Sequence, residues 1–130
     1  MAVDHWKGGR EHRINPVFDG LLPVLYETFL TNCWDYRDRL VPVRQNSVDG
    51  IQAVYETGWV PDLIYLDGGH DYEDVAADLK VLQQCYPQVP IVGDDWWWGG
   101  VRQALQETSE QHDRVLTVVE GLAWVLAVKS

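Results

Sequence analysis

Apolar positions recur along this chain with two periods, and the switches between them mark out the elements. Met1 to Asp4 is a short apolar start that reads as the end of a strand. Residues 5–15 are polar and hold Gly8 and Gly9, which predicts a loop. From Pro16 to Trp34, Phe18, Leu21, Leu22, Leu25, Phe29 and Leu30 fall at helical spacing, so the pattern predicts a helix broken at Pro23. Leu40 to Val43 reads as a short strand, and Ser47 as the N-cap of a helix that buries Ile51, Val54 and Tyr55 and ends near Tyr55.

Gly58 and Pro61 then punctuate the chain, and Asp62 to Leu66 reads as a strand. Asp71 is placed to cap a helix through Val75, Leu79, Leu82 and Cys85. Pro87 and Pro90 flank the next strand, which ends at Val92, and Gly99 with Gly100 opens a helix to about Gln111. Two β-rich runs close the chain, 114–119 and 122–128. Only Glu120 and Gly121 separate them, which predicts an antiparallel hairpin. The resulting order, β-α-β-α-β-α-β-α-β-β, implies an α/β domain with a mostly parallel sheet flanked by helices. The C-terminal antiparallel hairpin then lies at one edge.

Composition narrows the function classes. The 130 residues fit one domain, 1–130, and 46% hydrophobic content supports a packed core. A formal net charge of -10 disfavours nucleic acid and anionic membranes as partners, because the phosphate term is repulsive. No apolar run is long enough to span a bilayer and no signal peptide is visible. Cys33 and Cys85 lack metal-type spacing and read as reduced structural residues of a cytoplasmic protein. Of the seven tryptophans, Trp96, Trp97 and Trp98 are consecutive; they cannot all face inwards, so at least one is expected at a pocket or a subunit contact.

The candidate chemistry sits where two apolar strands end. Ile64-Tyr65-Leu66 runs into Asp67-Gly68-Gly69-His70, and Ile91-Val92-Gly93 runs into Asp94-Asp95-Trp96. In an open α/β sheet, ligands bind beyond the carboxyl ends of the strands. Neighbouring parallel strands would bring Asp67, Asp94 and Asp95 to one rim. Carboxylates so close repel unless they are protonated, paired or wrapped round a metal, which makes a hard-cation site the first hypothesis. Capping of the helices that follow is the plainer alternative. A receiver-type acidic pocket is disfavoured, because here the lone Asp precedes the pair and Lys129 lies at the end of the chain. His5, His12 and His112 lie in polar surroundings without ligand spacing and read as surface residues.

With that order, the chain resembles the later part of a class I S-adenosylmethionine-dependent methyltransferase, within the group of macrocin O-methyltransferase and cephalosporin hydroxylase. The residues that carry the resemblance are Val3-Asp4-His5-Trp6-Lys7-Gly8, Phe29-Leu30-Thr31-Asn32, Asn46-Ser47, Tyr65 through Val75 with Asp78-Leu79, Gly93-Asp94-Asp95-Trp96, Gly100 through Leu105, and the strand of Trp124. They span nearly the whole chain in family order. The resemblance implies a Rossmann-like fold. It implies that Asp4 binds the ribose hydroxyls of S-adenosylmethionine and that Asn46 and Ser47 line the adenine. Asp67, Asp94 and Asp95 would hold a divalent cation, usually magnesium (Mg2+), and His70 would lie near the acceptor as a general base beside catalytic Asp67.

A magnesium ion that chelates an acceptor hydroxyl lowers its pKa and orients it for attack on the methyl carbon. Histidine, with an ordinary pKa of about 6.5, suits a base at neutral pH. The expected function is therefore metal-assisted O-methyl transfer to a small hydroxylated substrate. The alternative is a non-catalytic binding or homo-oligomeric assembly module of the same fold.

In the family, the first strand lies between the second and the fourth, and its glycine-rich loop cradles the methionine part of the cofactor. This chain starts at the family's second strand, and Gly8-Gly9 follows the wrong strand for that role. The expectation is a truncated core in which those two neighbours pair directly or another chain fills the gap, since a gap leaves two unpaired edges, each a template for association.

Overall fold

The computed structural model describes residues 1–129. Its contacts divide the chain into two compact units, Met1–Gly50 and Ile51 onwards.

The first unit holds strand β1 (Ala2–Asp4), a one-turn helix α1 (Arg10–Arg13), helix α2 (Leu25–Asn32) and strand β2 (Pro42–Arg44). Helix α3 (Ser47–Glu56) begins in it. β1 and β2 pair in parallel, with Asp4 opposite Arg44 at their carboxyl ends. Trp6 is almost fully buried against Tyr26 and Phe29, with ring centroids 4.9 and 4.8 Å away.

Several expectations change here. The polar loop contains α1, because the Gly9 amide donates to His12 Nδ1 and closes the turn. The single helix expected from Pro16 is instead a 3-10 turn at Pro16–Phe18, a second at Leu22–Val24, and α2 from Leu25. Pro23 has no amide hydrogen to continue an α-helical ladder, and Gly20 is entropically costly inside one. The cap of α3 is Asn46, one residue before Ser47. Its carbonyl accepts the Gly50 amide at 2.8 Å, and its side chain accepts the Asp49 amide at 3.0 Å.

The second unit carries strand β3 (Ile64–Leu66), helix α4 (Tyr72–Cys85), strand β4 (Ile91–Gly93), helix α5 (Gly99–Gln111) and strands β5 (Arg114–Val119) and β6 (Ala123–Val128). The sheet order is β3-β4-β6-β5. β3 and β4 run parallel, while β6 is antiparallel to both its neighbours, so β5 is the antiparallel edge that the hairpin predicts. Glu120 and Gly121 have φ of 51° and 68°, the two positive values that a type I′ hairpin turn requires. Among the described residues β1 and β2 form a two-stranded sheet in the first unit, and β3 begins the four-stranded sheet of the second.

Core burial explains the helix faces. Val75, Leu79 and Leu82 of α4 and Val101, Ala104 and Leu105 of α5 pack with Ile91, Trp124 and Leu126 of the sheet. Leu79, Ile91, Leu105 and Leu126 are wholly buried, and each such side chain stabilises by about 1.5–3 kcal/mol. No helix among the described residues is long and apolar enough to cross a membrane. Cys33 and Cys85 are free thiols, and burial raises the pKa of Cys85.

Tyr72 at the start of α4 donates its hydroxyl to Glu107 of α5 at 2.6 Å, and Gln103 donates to the same carboxylate at 2.9 Å. The bond from Tyr72, then that from Gln103, holds the Glu107 carboxyl below its ordinary range. A depressed carboxyl stabilises the fold above its unfolded pKa, and that stability is lost as pH falls through the folded value. The melting-temperature difference between the native chain and Tyr72→Phe is therefore expected to persist at neutral pH and to shrink in acid. A difference that grows on acidification would contradict this link.

Candidate active site

Beyond β3 the chain passes through Asp67-Gly68-Gly69-His70 before α4 begins; beyond β4 it passes through Asp94-Asp95 before α5. Parallel pairing of Leu66 with Gly93 puts both turns at one end of the sheet. Together they line a small cleft with walls of Leu66, Val75, Val101 and Trp124. The cleft's location agrees with the strand-end expectation.

The second turn is fixed from three sides. Trp124 Nε1 donates to the Asp94 carbonyl at 2.6 Å, the Trp96 amide to the Leu122 carbonyl at 3.0 Å, and the Trp98 amide to the Asp95 carbonyl at 3.0 Å. Asp95 is held at φ 59°, which a non-glycine residue adopts only under local restraint. Such strain gathers at functional sites. Gly93 admits the Trp124 ring and the Leu66 carbonyl so closely that a methyl group there would overlap both.

The first turn leans on the start of α5. A Cβ on Gly100 would lie 2.6 Å from the Tyr72 amide nitrogen and 2.7 Å from the His70 carbonyl, whereas one on Gly99 would meet nothing within 4 Å. Gly100→Ala is therefore expected to lower stability by about 1–3 kcal/mol. Gly99→Ala should change it by less than about 1 kcal/mol. Equal effects in denaturant titrations would show that the close approach is unimportant. Asp71 occupies the cap position of α4, but its side chain makes no capping bond.

Asp67, His70 and Asp95 each offer a donor atom, all within 4.8 Å of one another. His70 Nε2 lies 2.6 Å from Asp95 Oδ2, and both side chains are mostly buried. The His70 ring stacks on Trp98, centroid to centroid 5.2 Å with 16° between planes. Asp94 takes a different course: its carboxylate lies beside the Tyr65 hydroxyl. Burial, and then the carboxylates of Asp67, Asp94 and Asp95, raise the pKa of Tyr65. The three expected carboxylates thus share one rim, but the close trio is Asp67, His70 and Asp95.

The field is strongly acidic. Beyond Gly50 the chain carries only four basic residues, Lys80, Arg102, Arg114 and Lys129. Of these, Arg114 is buried in backbone hydrogen bonds and Lys129 is paired with Asp113.

Asp4, Asn46 and Ser47 lie in the first unit, at or just past the carboxyl ends of β1 and β2. Asp4 Oδ1 accepts the Trp6 amide at 2.7 Å and lies 3.5 Å from His5 Nδ1, and the Asp4 side chain stays 54% exposed. Asn46 spends its amide on capping α3 and on Asp49. Ser47 is partly buried as the first residue of α3 and is also engaged in an interaction.

Sequence reasoning gives no sign of Tyr65 as a site residue and does not choose Trp98 among the three consecutive tryptophans. The run Trp96 to Trp98 was the available signal, and Trp97 and Trp98 are indeed exposed, at 54% and 46%.

The element order is that of an α/β fold with helices flanking a partly parallel sheet and a cleft at its strand ends. A solved structure shares it: the apo form of CalS11, a TDP-rhamnose 3'-O-methyltransferase of calicheamicin biosynthesis, superposes with a TM-score of 0.61 at 18% identity. The match covers 98% of this chain and 58% of that one, so the chain spans somewhat over half the neighbour's length. No family model matches the chain, and no curated protein matches it.

Proposed function

We propose that this chain carries out S-adenosylmethionine-dependent, divalent-metal-assisted O-methyl transfer to a small hydroxylated substrate. The observation that carries the reading is the Asp67–His70–Asp95 trio at the carboxyl ends of two parallel strands, in a fold shared with a sugar O-methyltransferase.

The donor chemistry fits a divalent cation. The two carboxylates supply hard oxygen ligands of the kind magnesium and manganese take. Asp67 and Asp95 would hold the ion, with Asp94 as a further ligand if it releases Tyr65. When bound, such an ion polarises an acceptor oxygen. Asp4 fits the cofactor ribose, being an exposed carboxylate at a strand end. The chain's own residues then do the rest. The apolar walls exclude water, the carboxylates favour positive charge at the reacting centre, and His70 accepts the acceptor's proton.

Release of S-adenosylhomocysteine from S-adenosylmethionine, followed with a panel of sugars and phenols with and without magnesium or manganese, tests the reading. Acceptor-dependent release is expected, reduced about 10²–10⁴-fold in His70→Ala and reduced in Asp67→Asn. No release with any acceptor, from folded protein that binds the cofactor, would leave the non-catalytic assembly module.

A further inference from the structure

Two side chains hold His70 in ways the methyl-transfer reading does not by itself require. The Asp95 carboxylate can only accept hydrogen bonds, so at 2.6 Å the imidazole Nε2 must carry the hydrogen. Trp98 lies nearly parallel to the ring at 5.2 Å and limits its rotation. Trp98 is itself tied down: it precedes the first turn of α5, its amide donates to the Asp95 carbonyl at 3.0 Å, and its carbonyl accepts the Arg102 amide at 3.1 Å. The residue that fixes the imidazole's hydrogen and the residue that fixes its plane therefore belong to one strained turn.

Nδ1 is the ring nitrogen that Asp95 does not engage, and the His70 side chain keeps 25% of its surface exposed.

We propose that Asp95 and Trp98 are positioning residues for His70: the carboxylate and the stacked indole lock the neutral imidazole as the Nε2–H tautomer and present Nδ1 alone to the acceptor hydroxyl. The use of Nδ1 rests on the methyl-transfer reading; the tautomer and the ring's placement do not. A carboxylate that orients a working histidine through its far nitrogen is a general device of acid–base sites. Here an aromatic stack accompanies it. An Nε2 that donates its hydrogen to this carboxylate has no lone pair for a metal, so in this tautomer that nitrogen is not a ligand.

Long-range proton–nitrogen correlation spectra of the histidine-labelled chain test the proposal. They are recorded at about pH 8.5, well above the ordinary histidine range. The expected result is a single Nε2–H tautomer for His70, with ring protons shifted upfield by the stacked indole. Asp95→Asn should move the population toward the Nδ1–H tautomer, because an amide can donate to Nε2. Trp98→Leu should lose the upfield shift and mix the tautomers, and Trp98→Phe should restore both. A mixed or Nδ1–H population in the native chain, or His70 shifts unmoved by Trp98→Leu, would overturn the proposal. Titration with S-adenosylhomocysteine separates the two claims. A locked tautomer in a chain that binds no cofactor supports the positioning and overturns methyl transfer. Mixed tautomers in a chain that binds it overturn the positioning alone.

Discussion

Replacing Arg114 by alanine is expected to lower stability by about 3–5 kcal/mol, the scale for stripping one partner from a buried charged network. The side chain is only 6% exposed although it begins an edge strand. Its donors are spread over five acceptors. Nε reaches Gln83 Oε1 at 2.8 Å, Nη1 reaches the carbonyls of Val89 at 2.8 Å and Leu126 at 3.3 Å, and Nη2 reaches those of Pro87 at 2.7 Å and Tyr86 at 3.3 Å. A guanidinium has five N–H donors, so the network uses its full capacity.

The carbonyls of Tyr86 and Pro87 lie just past the end of α4, where the helix dipole favours a cation. Burial lowers the pKa of Arg114, but a guanidinium stays charged across the working range. Lysine offers three donors on a point charge and cannot reproduce the fork, so Arg114→Lys should recover little. With a urea slope of about 2 kcal/mol/M, the alanine variant should unfold about 2 M earlier. A midpoint shift below about 0.5 M would mean that water replaces the guanidinium at little cost.

The second large effect is expected at Trp124. The indole is 2% exposed, sits against Gly93, and donates to the carbonyl that leads into the Asp95 turn. Truncation to alanine should cost about 3–5 kcal/mol through the cavity it leaves. Trp124→Phe keeps much of the apolar volume but loses the bond to Asp94, so about 1–2 kcal/mol is expected. Denaturant titration of both variants checks the order. Equal losses would show that the hydrogen bond, and not the buried ring, dominates.

Much of this architecture is legible along the chain because its determinants are local. Strand-ending aspartates, the glycine pair opening α5 and the Glu120-Gly121 turn each announce themselves within a few residues, and all three fall where expected. What escapes the sequence is set by distant partners. Arg114 reads as an ordinary surface strand residue until the end of α4 is brought over it. The Asp94 carboxylate turns to Tyr65, a neighbour that only the pairing of β3 with β4 supplies. Strand alternation says that Tyr65 faces away from Ile64 and Leu66, but not that its hydroxyl reaches round the strand end. Asn46 and Ser47 are both good caps, and only the hydrogen bonds choose Asn46. The stack of His70 on Trp98 joins residues 28 positions apart, beyond any periodicity.

Methyl transfer by this chain requires that it bind the cofactor. Calorimetric titration of the chain with S-adenosylhomocysteine, with and without magnesium, measures that binding directly. Micromolar binding, about -8 kcal/mol, weakened about tenfold or more in Asp4→Ala, is the predicted result. No detectable heat in either condition, from protein shown to be folded, would contradict methyl transfer by this chain.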